Sequence, residues 1–159
     1  MAGTNDRLYV VRSGASATAS VAVATVAATA KTVIACLGSA SDSIALKRVR
    51  ISFASVTATD VPALVEVGFT TTLGTGTAFT PVQMVGHSLP SSVAAAYNLT
   101  AEPTYLRIWE VTHIPVNNGL MEWWYPLGEE PQCDANQGIA IRITSPQAQS
   151  VLASMLFSE

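Results

Sequence analysis

Along most of this chain apolar side chains return at every second position, the period of a strand whose two faces meet different surroundings. The segment 43–55 shows it most clearly. Val49, Ile51 and Phe53 point one way, while Arg48, Arg50 and Ser52 point the other. The same alternation places Ala63, Val65, Val67 and Phe69 inward over 63–71, behind the strand-opening Pro62. It places Ile139, Ile141 and Ile143 inward over 139–144, and Val151, Ala153, Met155 and Phe157 inward over 149–157. Shorter strands are predicted at 7–12 and at 32–37, the latter ended by Gly38. Over 20–26, Val21 and Val23 alternate with Ala22 and Ala24; the alanines would suit a helix, but the density of β-branched residues favours a strand.

The segment 74–103 interrupts this rhythm with Gly74, Gly76, Pro81, Gly86, Pro90 and Pro103. It reads as a long connection with a short strand at 82–85 and one helical turn at 91–97, and so long a connection in a compact domain usually binds or packs on something. A strand follows over 104–112, with Tyr105, Arg107, Trp109 and Val111 on one face and Leu106, Ile108 and Glu110 on the other. Asn117-Asn118-Gly119 suits a tight turn, and with the strand 120–125 it predicts a hairpin over 104–125. Residues 126–137 form a polar loop. The sum is eight or nine strands with no long helix and no internal repeat, an all-β two-sheet antiparallel sandwich of the jelly-roll kind. The expected organisation is one domain: a low-complexity arm or strand over 1–30 and the sandwich over 31–159.

Composition changes this picture in one respect. Charged residues make up only 12% of the 159 residues, about half the usual share, so neighbours are expected to cover part of the surface. Net charge is −3, which argues against a nucleic-acid partner. The one basic cluster is Lys47, Arg48 and Arg50, with Lys47 expected on the face opposite the two arginines. Such a cluster is either a solvated sheet face or a contact patch for an acidic partner. The Ala/Val-rich stretch after Arg12 is too diluted by Ser and Thr for a signal peptide, and no apolar run is long enough to span a membrane, so neither export nor membrane insertion is expected.

Candidate chemistry is sparse. The two histidines, His87 and His113, lie apart, and no nucleophile elbow, phosphate loop or zinc spacing occurs, so neither an enzyme nor a cofactor is expected. Cys36 and Cys133 lack metal-ligand spacing and read as buried free thiols, with a disulfide as the alternative. Asp42, Asp60 and Asp134 are explained by turns. Asn98-Leu99-Thr100 fits a glycosylation acceptor by chance. Trp123 and Trp124 must point to opposite faces, one into the core and one outward, and packing that buries Trp124 while Glu122 pairs at the edge outweighs a sugar site. The outward tryptophan is the best candidate for an intersubunit anchor.

Two segments carry a resemblance: Gly74-Thr75-Gly76-Thr77-Ala78-Phe79-Thr80-Pro81, continuing through Ala94-Ala95-Ala96-Tyr97-Asn98-Leu99-Thr100-Ala101-Glu102-Pro103-Thr104, and Glu122-Trp123-Trp124-Tyr125-Pro126 followed by Gly138-Ile139-Ala140-Ile141-Arg142-Ile143. Over residues 45–157 the chain resembles the small structural proteins of tailed bacteriophages. The likeness implies a jelly-roll head-decoration, or cement, protein on the outside of a capsid, a homo-oligomer with a trimer favoured, and the major capsid protein or other virion subunits as partners. The interface candidates under that reading are Trp123, Trp124, Arg48, Arg50, Phe79 and Tyr97, with the segments 1–30 and 74–103 supplying contacts. The alternative is a host-attachment or carbohydrate-binding module of a phage tail or fibre tip.

Overall fold

The computed structural model describes residues 7–13, 23–53, 61–84, 90–117 and 119–159. The expectations placed on Val21, Ala22, Asp60, His87 and Asn118 lie outside these residues. The described chain is all-β: β1 (Leu8–Arg12), β2 (Val23–Ala24), β3 (Lys31–Leu37), β4 (Ile44–Phe53), β5 (Ala63–Thr70), β6 (Thr75–Phe79), β7 (Val82–Gln83), β8 (Ala94–Ala101), β9 (Tyr105–Ile114), β10 (Leu120–Trp124), β11 (Gln132–Cys133), β12 (Gly138–Thr144) and β13 (Ser150–Ser158). They form two antiparallel sheets. One runs β10-β4-β13-β1-β7, with β11 added to β4 and β2 to β13; the other runs β6-β8-β3-β12-β5-β9.

Eight of these strands make the roll. The run β1-β13-β4-β10 faces the run β3-β12-β5-β9, and the chain alternates between sheets in the jelly-roll order. Of the 1–30 segment, β1 is an inner strand between β13 and β7, and Val23 is buried. The inner faces carry the residues that alternation singled out. Tyr9, Val11, Val49, Ile51, Met155 and Phe157 from one sheet and Ile34, Val65, Val67, Ile139, Ile141 and Ile143 from the other are buried in one cluster. Removing this much apolar surface from water, at roughly 25 cal/mol per Å², is the main force holding the sheets together.

The extra strands correct the reading of 74–103. β7 falls where the short strand was expected, but the segment also holds β6 and β8, and the predicted helical turn at 91–97 instead enters β8. β5 runs through 71–74 into β6, and β8 through 102–104 into β9, so the two lengths form one long antiparallel ribbon. Thr70 pairs with Tyr105, Thr75 with Ala101, and Thr71 N–H donates to Thr104 O at 2.9 Å between them. One half of the ribbon pairs with β12 and the other with β3, so its middle must cross the outer face of the β3–β12 pair. Only small residues leave room there: Ala35, Ala96 and Ala140 lie beneath Leu99, Leu73 and Tyr105 as a second apolar cluster. A Cβ on Gly138 would sit 2.1 Å from Cys36 O, so this position in β12 must be glycine.

The crossing also settles a hydrogen-bond debt. β8 leaves β3 after Tyr97, where Asn98 takes a positive φ of 50° that asparagine tolerates. Thr32 N–H, on a fully buried residue, would then have no strand partner. Glu102 of the ribbon supplies it, accepting from Thr32 N at 2.8 Å and also from the Thr32 hydroxyl. Tyr105 OH lies 2.8 Å from the same hydroxyl, Arg142 stacks over the Tyr105 ring at 4.7 Å, and Glu66 holds Arg142 through two bonds of 2.8 and 3.0 Å.

Two further expectations are corrected. Residues 104–125 are no hairpin: β9 pairs with β5 and β10 with β4, in different sheets. The chain passes from one sheet to the other between β9 and β10, and Gly119 O accepts from Phe53 N at 3.1 Å where it arrives. The proposed common face of β9 is broken by two register shifts opposite β5. Tyr105 packs outside on the alanine cluster while Trp109 packs on the main core.

Two substitutions test the crossing. Ala140→Leu is expected to cost about 1–3 kcal/mol or more in urea unfolding, because the ribbon cannot lift without losing both flanking pairings. Glu102→Ala is expected to cost about 1–3 kcal/mol by stranding the Thr32 donor, with Glu102→Gln recovering much of it.

Candidate functional site

The inward set of β4 forces its other residues outward, and these with their cross-strand neighbours build the outer face of the seven-stranded sheet. Two rows define it. In the first, Val10 pairs with Leu156, Leu156 with Arg48 and Arg48 with Trp124; in the second, Arg12 pairs with Ser154, Ser154 with Arg50 and Arg50 with Glu122. A register shift between β13 and β4 leaves Lys47 unpaired with β13, and Leu46 and Val49 are both fully buried. Two consecutive residues therefore face out, and Lys47 joins Arg48 on the same side, correcting the expectation that it lay opposite.

Trp123 turns inward against the main core, and Trp124 turns outward with 61% of its surface exposed, the reverse of the packing that buried Trp124. The Arg48 guanidinium lies over the Trp124 ring at 5.0 Å and only 3.5 Å from a Glu122 oxygen, a weak contact that leaves most of its donors uncommitted. Its Nε is buried and has no partner among the described residues. Beyond Trp124 the 126–131 loop is fastened down: Tyr125 N donates to Lys47 O, Leu46 N to Pro131 O, Gly128 N to Glu130, and Lys47 Nζ meets Glu130 at 2.9 Å. The Lys47 hydrogen bond, foremost, holds the Glu130 carboxyl below its ordinary pKa. This fastened loop raises Leu127 to 90% exposure beside Trp124.

Among the described residues two hollows flank the Arg48–Trp124 stack. One, of about 320 Å³, is lined by Arg12, Arg48, Arg50, Ser13, Ser52 and Leu152 among others. The second, of about 300 Å³, is lined mainly by Leu8, Trp124, Tyr125, Leu127 and Leu156, with Lys47 and Glu130 at its rim. Comparison with protein-family models, with curated proteins and with solved structures returns no match. The site therefore rests on its own geometry.

Of the interface candidates, Arg48, Arg50 and Trp124 come together here. Phe79 and Tyr97 do not: both are buried, in β6 and β8, on the inner side of the other sheet. Sequence reasoning missed Leu8, Leu127 and Leu156, and it named Lys47 in the basic cluster but set it on the opposite face. A leucine between Pro126 and Gly128 was the available signal, since an apolar residue at a turn tip has no core to enter.

Elsewhere the polar groups serve structure. Asp42 is held below its ordinary pKa by the hydroxyls of Ser39, Ser92 and Ser41, and Asp134 O closes a turn onto Gln137 N at 3.0 Å. Asn98 accepts from Lys31 Nζ at 3.0 Å. His113 is exposed on β9. Among the described residues no three of His, Cys, Asp or Glu gather as metal ligands.

Cys36 and Cys133 are both buried free thiols that donate to backbone carbonyls, Cys36 to Ile139 O and Cys133 to Gln137 O. Burial pushes the Cys36 thiol up to about 12, and burial likewise raises Tyr105. A raised pKa means the folded state favours the protonated form. This contribution is complete below the unfolded value of 9.0 for the thiol and is lost as pH climbs toward 12. Unfolding free energy is expected to fall above about pH 9, and Cys36→Ala to flatten that decline. In the same samples a thiol reagent at pH 8 is expected to label neither cysteine natively and both after denaturation.

Proposed function

We propose that the chain is a non-catalytic structural subunit that decorates the outside of a virion shell, assembling as a homo-oligomer, with a trimer favoured. The observation that carries the reading is the exposed Trp124–Leu127 pair on a fastened sheet face. An exposed tryptophan costs solvation unless something covers it, and a loop tied by Lys47–Glu130 loses little freedom when it docks. The low charge of the whole chain supports extensive contact with neighbours, and the likeness of residues 45–157 to phage head-decoration proteins supplies the kind of neighbour.

Such a subunit works by mass action. It binds the closed arrangement of shell subunits and not the loosened one, which makes loosening more costly. Several copies held together add their weak contacts by avidity. A carbohydrate-binding role is less well supported, because Arg48 already occupies one face of the Trp124 ring that a sugar would stack upon.

Light scattering of the full chain is expected to give a small multiple of 16.6 kDa. Trp124→Ala is expected to weaken assembly on the shell or among copies about tenfold or more. Its urea midpoint should stay within about 0.5 kcal/mol of the parent, since Trp124 lies outside the core. A strictly monomeric chain that binds a glycan array would overturn the reading.

A further inference from the structure

We infer that the Arg12/Arg48/Arg50 hollow and the apolar hollow beside it form one two-part socket for an acidic polypeptide segment of a neighbouring subunit. The segment would carry carboxylates next to a large apolar side chain. The inference rests on the assembly reading and specifies its partner.

Three features select this occupant. The first is charge. Arg48 and Arg50 line one hollow, and no carboxylate does so among its described lining residues, in a chain whose net charge is −3. On this face Glu122 pairs with Arg50 across the strands but touches Arg48 only at 3.5 Å. A concave cationic patch on an otherwise acidic molecule attracts an acidic partner surface and orients it. The second is donor geometry. The Arg48 guanidinium lies over the Trp124 ring at 5.0 Å and reaches Glu122 only at 3.5 Å, and exposed Arg50 stands two residues along the same face. Planar guanidinium forks match carboxylates through paired hydrogen bonds. The third is the apolar half. Leu8, Leu156, Trp124 and Leu127 make a hollow of about 300 Å³, room for one leucine-sized side chain, with the Arg48–Trp124 stack as the wall between the halves. A duplex nucleic acid would satisfy the arginines but keep its bases within its own stack, and a single strand, whose bases could enter the apolar half, is an outcome of the test.

The test titrates the full, ¹⁵N-labelled chain with a blocked peptide in which two glutamates flank one leucine, and reads the arginine Nε–H resonances. Saturable shifts at Arg48 and Arg50 are expected. Replacing the peptide's glutamates by glutamine, or its leucine by glycine, should each weaken binding about tenfold. Arg50→Gln, at an exposed position that does not threaten folding, should do the same, and Arg50→Lys should recover only part. The absence of a saturable shift would overturn the inference. So would equal binding of the glutamine peptide, equal shifts with inorganic phosphate alone, or tighter binding of a single-stranded oligonucleotide. Light scattering of the parent and of Arg50→Gln separates the two levels. An oligomeric parent with no peptide response removes the socket and leaves the assembly reading standing, whereas a monomeric parent that binds a glycan array removes that reading itself.

Discussion

Val49 and Ile51 must be buried between the sheets, and a strand cannot turn two neighbours the same way without a bulge. That constraint sends Arg48 and Arg50 outward, just as burial of Tyr9 and Val11 sends Val10 and Arg12 to the same side and burial of Trp123 sends Trp124 there. The outer face is therefore a by-product of packing the inner one. Its registry is as exact as the core, because a slip by one residue would expose the isoleucines and bury the arginines together. The single departure, at Lys47, adds a cation to this face and supplies the partner that fastens the 126–131 loop.

The opposite sheet solves a different problem. There the outer face is not left to solvent but is crossed by the chain's own ribbon, and the alanines of β3, β8 and β12 are the consequence. An outward sheet face made of alanine would look like wasted burial in isolation. Beneath a crossing ribbon, small side chains let two layers approach closely, and the network from Glu66 through Arg142, Tyr105 and Thr32 to Glu102 supplies the polar fit at its edge. One sheet thus carries its own cover, and the other presents a tryptophan, a leucine and a cluster of cations outward.

The strands β4, β5, β12 and β13 were legible in the sequence because their large apolar side chains recur at alternate positions, and that set enters the core. So was the opposition of Trp123 and Trp124, which follows from the pleat alone. What alternation does not encode is which edge a strand joins. The sequence Asn117-Asn118-Gly119 suits a hairpin and a sheet-to-sheet crossing equally, and β9 and β10 lie in different sheets because each pairs with a strand far from it in sequence. The ribbon through β6 and β8 was hidden by its glycines, prolines and alanines, residues that read as loop or helix until something lies on them. Bulges escaped for the same reason in β9 as at Lys47: they obey partner geometry, not composition. Of the site, the two arginines and one tryptophan were readable from period and charge, whereas Leu8 and Leu156 join them only through strand order.

That strand order has a bearing on synthesis. β13 lies between β4 and β1, so the two strands that flank it have no bridge until residues 150–158 exist. A nascent chain emerging from the ribosome can assemble the β5–β9 ribbon early, yet the sheet that bears the arginines cannot zip up before translation reaches β13. The face that carries Arg12, Arg48 and Arg50 is thereby incomplete until the polypeptide is nearly whole.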